Sequence, residues 1–144
     1  MIAVADCAPH PEDARTLKIK LEREPQAPSV ARAAVARFTE RSEFSPAEVP
    51  TLALLVSELV SNAVLHSDAL PASGIVLCAH LLDRGTVRVE VIDRGSGFTA
   101  TPRDPAESRG GYGLYLVDKQ ATRWGVDREG GTRVWFEIAN PPPR

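Results

Sequence analysis

The stretch LALLVSELVSNAVLHS, residues 52–67, limits what this chain can become more than any other. At helical spacing, Leu54, Leu55, Val56, Leu59, Val60, Ala63, Val64 and Leu65 cover nearly the whole circumference. A helix that is apolar nearly all round has to be buried. Glu58, Asn62 and His66 follow one another four apart and form a single polar stripe on it. A carboxylate and a carboxamide in that setting need partners or a cavity. From the helix alone two readings stay open, a functional cleft and an internal hydrogen-bond network. His66, at the C-terminal end, suits the helix dipole and receives no further role.

Burying such a helix requires further layers, and the rest of the chain supplies them. TLKIKLERE (16–24) alternates, with Leu17, Ile19 and Leu21 on one side and Lys18, Lys20 and Glu22 on the other, as in a half-buried strand. Val30, Ala34, Val35 and Phe38 predict a helix from about Ser29 to Arg41. Ser45 at the N-cap, Pro46 at the first helical position and Glu48 two residues on form a capping-box signature. Pro50 disfavours helical dihedrals at Val49, so an irregular first turn is expected, with regular helix from Pro50 to His66 or Ser67. IVLCAHLLD (75–83) and TVRVEVIDR (86–94) read as strands joined by a tight Asp83–Arg84–Gly85 turn. A long Gly- and Pro-rich stretch, 95–111, precedes a helix in YGLYLVDKQATRW. Two strands follow, around WGVDRE and TRVWFEIA, with a turn at Gly130–Gly131; Trp124 and Trp135 are expected in the sheet core. This order implies an α+β two-layer sandwich: a mixed, mainly antiparallel sheet with helices on one face. Residues 1–15 read as a loose leader, 16–140 as one domain and 141–144 as a tail, a division that suits a chain of 144 residues.

Composition narrows the function classes. Hydrophobic residues make up 43% and charged residues 25%, ordinary for a soluble domain. The net charge of −2 provides no broad basic field, which argues against nucleic acid as a direct partner. Cys7 and Cys78 stand far apart without CxxC spacing, so neither a disulfide framework nor a zinc site is expected, and Cys78 in IVLCAHLL reads as a small core residue. The N-terminus turns acidic and Pro-rich before any signal-peptide core develops. No apolar run is read as approaching the roughly 20 residues that span a bilayer. A reducing cytoplasm is the expected location.

Three further places carry chemistry. In VIDRGSGF (91–98) a strand ends in Asp93, followed by Gly95 and Gly97. Alone this can be a strand and a Gly turn; it can also be a carboxylate aimed into a pocket, able to accept a hydrogen bond from an exocyclic amine, with the chain passing close to a ligand. In SRGGYGLYLV (108–117), Gly110, Gly111 and Gly113 precede a helix, whose free N–H groups favour phosphate, and Arg109 adds a cation suited to a terminal phosphate. Gly131–Thr132 alone is a hairpin turn. A structureless stretch as long as 95–111 is uncommon in a compact domain and is often a functional lid.

In their order, E-x-x-x-N-A on a helix, D-x-G-x-G after a strand, G-x-G before a helix and then G-T, these motifs resemble the GHKL ATP-binding superfamily, which includes gyrase, histidine kinases and MutL. The resemblance covers about Thr16 to Ala139, and the short chain and compact lid look most like the anti-sigma-factor serine kinases. It implies a Bergerat-type ATP-binding fold, with ATP and Mg²⁺ as cofactors. It implies that Asn62 binds Mg²⁺, Glu58 is the general base, Asp93 receives the adenine amino group and Thr132 supports the adenine pocket. It further implies that Gly95 and Gly97 form the lid hinge, Gly111 and Gly113 bind phosphate, and Arg109 approaches the terminal phosphate. The partners it implies are a sigma factor and an anti-anti-sigma (STAS-domain) protein, with a homodimer as the common assembly. A nucleotide-dependent binding module without physiological phosphotransfer is the alternative. The catalytic part of a histidine kinase fits less well, because there is no room for a phospho-accepting helical hairpin. A metabolic enzyme with a Glu/Asn site would have no use for the lid.

Overall fold

The structure is a computed structural model and describes Cys7 and residues 15–66, 73–94, 113–128 and 131–140. Five strands, β1 (Arg15–Leu21), β2 (Ile75–Leu81), β3 (Val87–Asp93), β4 (Arg123–Asp127) and β5 (Thr132–Ile138), form one sheet in the order β1-β2-β3-β5-β4. Three helices, α1 (Ala27–Thr39), α2 (Val49–His66) and α3 (Gly113–Gln120), complete the two-layer α+β architecture. A mixed sheet was the expectation; among the described residues every ladder is antiparallel. The hairpins β2–β3 and β4–β5 account for two ladders, and the returns through helices bring β1 and β5 in antiparallel as well.

Strand alternation sorts the residues onto two faces. Leu21, Ile75, Leu77, Ala79, Val87, Val89, Val91, Val134, Phe136 and Ile138 join one buried cluster with α1, α2 and α3, and Leu17 and Ile19 pack against it. The register aligns these positions, with Ile19 opposite Leu77, Leu77 opposite Val91 and Val91 opposite Val134. Asp93 and Thr132 have the same parity and therefore belong to the helix-facing side.

In α2, Leu52, Leu55, Val56, Leu59, Val60 and Ala63 are fully buried. The apolar surface is narrower than its composition suggests, because Leu54 and Leu65 are exposed. The segment Pro46–Leu65, 20 residues, is long and apolar enough by length and composition to cross a membrane, contrary to the sequence reading, and 39% of its 18-residue apolar window is buried within the protein. It packs on α1, β3 and α3 as a core helix does. Its entry is irregular as expected: a 3₁₀ turn at Pro46–Glu48 precedes the α-helix. The capping box does not form. The Ser45 side chain makes no capping bond, and its backbone N–H donates instead to Asn140 Oδ1 at 2.8 Å.

Two corrections concern the outer sheet face. Trp135 does not build the core: Arg88 stacks over its ring at 4.0 Å, and a Cβ on Gly125 would lie 2.7 Å from that ring. Trp124 does pack against the core. Cys78 is buried but joined to Cys7 by a disulfide with a Cα–Cα distance of 5.8 Å, and the two group with Val76 and Ile92. The 71-residue separation hides this pairing, since only the position of Cys78 on β2 brings the sulfurs together.

Candidate functional site

The C-terminal end of β3 is the point where the predicted residues begin to converge. Asp93 is buried and sits directly opposite Thr132, also buried, across the β3–β5 ladder. Residues 39 positions apart in sequence become cross-strand neighbours because β5 runs antiparallel to β3. Gly131 makes the approach possible. Its φ is +141°, and a Cβ there would lie 2.6 Å from the Asp93 carbonyl oxygen, so only glycine fits without moving the strand end.

Arg23 ties this corner to the helix layer. Its Nη2 donates to Asp93 Oδ1 at 2.6 Å, its Nη1 to the Ala63 carbonyl at 2.6 Å and its Nε to the Ser73 carbonyl at 2.9 Å. The guanidinium thus links the end of β3, the turn of α2 next to Asn62, and the approach to β2. The sequence reading missed Arg23. A signal for it existed: Arg23 continues the parity of Leu17, Ile19 and Leu21, so a cation falls where the alternation points inward. A carboxylate has about four acceptor positions, so an Asp93 held by Arg23 can still receive a donor from a ligand.

Asn62 is buried on α2, and Glu58, one turn earlier on the same stripe, is half-buried. Burial pushes the Glu58 carboxyl above its ordinary value. Water withdrawn from a carboxylate penalises its charged form, which makes it a stronger proton acceptor. Among the described residues no three His, Cys, Asp or Glu side chains cluster to hold a metal ion. Gly95, Gly97, Arg109 and Gly111 lie outside the described residues, as do Gly110, Tyr112 and Gly130, while Gly113 is the first residue of α3. The described part of the site therefore consists of a buried carboxamide and a half-buried carboxylate on α2, and a buried Asp–Thr pair at the sheet end.

Comparison with known proteins decides the family. The model of the histidine kinase-like ATPase domain matches residues 21–138. The chain belongs to this family. The stretch matched runs from the end of β1 to the end of β5 and includes every one of the candidate residues. Among curated relatives, the serine-protein kinase RsbW of Oceanobacillus iheyensis is 26% identical over 71% of this chain and 72% of its own length. The anti-sigma F factor of Geobacillus stearothermophilus is 28% identical over 77% of this chain and 83% of its own. Several other anti-sigma F factors match over about half of each chain; that of Bacillus cereus is 33% identical over 49% of this chain and 48% of its own. Of solved structures, one of the RsbU and RsbW domains of a Mycobacterium tuberculosis protein superposes with a TM-score of 0.69 at 26% identity, covering 94% of this chain. This chain spans only 34% of that solved one. A blue-light activated histidine kinase domain from Erythrobacter litoralis gives a TM-score of 0.52 at 26% identity, over 78% of this chain and 58% of that one.

Proposed function

We propose that this protein is an anti-sigma factor that acts as a Mg-ATP-dependent serine/threonine protein kinase on an anti-anti-sigma antagonist and sequesters a sigma factor. The supporting relatives are the RsbW kinase and the anti-sigma F factor of Geobacillus stearothermophilus, which align over most of the chain. The observation that carries the reading is the corner at which Arg23 joins Asp93, and with it Thr132, to the turn of α2 that bears Asn62. It gathers polar groups from three elements at the edge of an otherwise apolar core.

The residues fit a nucleotide. In this reading Asp93 accepts the adenine amino group, with the Thr132 hydroxyl beside it. Asn62 would hold Mg²⁺, and a carboxamide oxygen is the kind of ligand that suits a hard ion taking few protein ligands. Gly111, Gly113 and Arg109 hold the phosphates, and Gly95 and Gly97 are the hinge of the segment that covers them. When bound, Mg-ATP supplies the phosphoryl group with its charge partly neutralised, so the protein's task is chiefly positioning. Glu58 takes the proton from the attacking serine hydroxyl, a task favoured by its raised pKa. A cytoplasmic homodimer is the assembly expected from this reading.

The test is incubation with Mg-ATP and candidate STAS-domain proteins, followed by intact-mass detection of one added phosphate on a serine, and capture of sigma factors with ADP and ATP compared. Asn62→Ala should abolish Mg-dependent ATP binding measured by calorimetry. A protein that binds ATP and holds a sigma factor but transfers no phosphate to any STAS partner would be a nucleotide-dependent binding module instead.

A further inference from the structure

The opposite end of the sheet carries a concave surface. A cavity of about 920 Å³ opens where β2 ends and β3 begins, bounded by the loop after α1, the β2–β3 turn, and the adjoining ends of β4 and β5. It lies at the Val87 end of β3, whereas Asp93 lies at the other, about 20 Å away at the usual rise per strand residue. Its cations are all arginines, Arg15, Arg41, Arg84, Arg88 and Arg123, and they outnumber the lining carboxylates Glu43, Asp83 and Glu137. Arginine, with its planar fork of donors, is the cation suited to gripping carboxylates and phosphates in fixed geometry.

Three of these arginines are engaged. Arg88 and Arg123 each pair with Glu137 at 3.0 Å, and Arg15 donates to the Phe38 carbonyl while stacking on its ring. Arg41 and Arg84 are exposed, and neither guanidinium pairs with a carboxylate among the described residues. These same two are the non-glycine residues with positive φ among the described residues, both at +62°. Each stands where a turn asks for glycine or asparagine. Glu40 (φ −59°, ψ 139°) and Arg41 form a type II turn closed by the Ser42 N–H on the Thr39 carbonyl at 3.1 Å, and its third residue is ordinarily Gly or Asn. Arg84 and Gly85 form the centre of a type I′ hairpin turn closed by the Thr86 N–H on the Asp83 carbonyl, whose first central residue is ordinarily Asn, Asp or Gly. Two arginines in disfavoured backbone, at one cavity, are an outlier that the fold itself does not require.

The two turns are also fixed relative to each other. The Asn140 side chain donates to the Glu43 carbonyl at 2.7 Å and the Arg84 carbonyl at 3.2 Å, and accepts from the Ser45 N–H at 2.8 Å. Asn140 therefore clamps the loop after α1 onto the hairpin tip. This holds both arginine-bearing turns in place before any ligand arrives, which lowers the ordering cost of binding.

We propose that this cavity is a second binding site, independent of the nucleotide site, that holds an acidic segment of a partner protein. The lining selects for an extended acidic chain over a compact polyanion. Glu43 and Asp83 would repel a dense charge, but they can accept N–H donors from a peptide backbone while its carboxylates meet Arg41 and Arg84. Leu81 and Leu82 add apolar surface that a bare phosphate would not use.

The test uses a fluorescein-labelled oligoglutamate peptide and anisotropy at low salt. The wild type should bind it saturably and leave an oligolysine control unbound. The double variant Arg41→Gly, Arg84→Gly removes both cations at positions where glycine suits the backbone, so its thermal midpoint should equal or exceed that of the wild type, while its peptide affinity falls at least about tenfold. Arg41→Asn with Arg84→Asn should give the same loss. Asn62→Ala, at the other end of the sheet, should bind the peptide as the wild type does. The proposal is overturned by absent saturable binding, by equal affinity in the double variants, by loss of binding in Asn62→Ala, or by a preference for inorganic pyrophosphate over the peptide.

Discussion

Arg23 and Asp93 form a pair that is almost wholly out of water, with side chains 7% and 1% exposed. Desolvating two charges is costly, and here the cost is offset by the two further carbonyls that Arg23 satisfies. Removing one partner would strand the other in the interior. Arg23→Met is therefore expected to lose about 3–5 kcal/mol in urea denaturation. The Arg23→Met, Asp93→Asn double variant should lose less than the sum of the singles, because they share one interaction. Glu58 is the opposite kind of residue, one whose charge burdens the fold. Burial raises its folded pKa above 4.5, so the folded protein holds this proton more tightly than the unfolded chain does. Stability from this group is present below the ordinary value of 4.5 and declines as pH rises through the raised folded value. Glu58→Gln should then melt above the wild type at pH 7, the difference closing below about pH 4.5, and on the kinase reading it should keep ATP binding and lose phosphotransfer. A variant that melted higher and still phosphorylated at the native rate would remove Glu58 from the base role.

At the scale of elements, the outer face of β3, β4 and β5 shows what periodicity conveys and what it cannot. The alternation of Val87, Val89 and Val91 with Arg88 and Glu90 correctly assigns the strand and its buried side, and the Asp83–Arg84–Gly85 turn forms as read. Such an alternation says nothing of where Arg88 and Glu90 find partners. In the fold Glu90 is fully buried, paired with Arg88 at 2.9 Å, and Arg88 reaches on to Glu137 at 3.0 Å. Glu137 comes from β5, far along the chain, and a local pattern holds no information on which strand will lie alongside. The position of Trp135 on this face, between Arg88 and Arg123, was hidden for the same reason. The network predicts a pH response. Burial pushes the Glu137 carboxyl up, but hydrogen bonds and charge from Arg123 and Arg88 together outweigh it and hold the carboxyl below 4.5. A lowered folded pKa gives stability that is present above 4.5 and is lost as pH falls through the folded value. Glu137→Gln should accordingly melt below the wild type at pH 7, with the two curves converging in acid. Parallel curves over the whole range would mean that the carboxylate contributes by packing alone.

Across the whole molecule, the motifs lie on different elements, and the fold brings residues of two of them, Asp93 and Thr132, together as neighbours. The places of Asp93 and Thr132 were legible because each lies at the end of a strand beside glycines, a local signal, whereas Glu58 and Asn62 were legible from their spacing within α2. Arg23 and Asn140 were not singled out, because each acts by bonding carbonyls that only tertiary structure brings within reach. The Cys7–Cys78 bond is the extreme case, a covalent contact spanning 71 residues that ties the N-terminal segment to the outer face of β2. Closing so long a loop restricts the unfolded chain, which commonly stabilises a fold by about 2–4 kcal/mol. The contribution depends on redox conditions, since a reducing cytoplasm keeps such thiols reduced. Cys7→Ser should therefore lower stability by about that amount in oxidising buffer and match the wild type in excess dithiothreitol, with urea midpoints as the measure. Non-reducing intact mass should find the oxidised wild type lighter by a pair of hydrogens. Equal midpoints for Cys7→Ser and wild type in oxidising buffer would mean that the tether adds nothing to the fold. A lower midpoint for Cys7→Ser in both buffers would assign the effect to the packing of Cys7 against Val76 and Ile92.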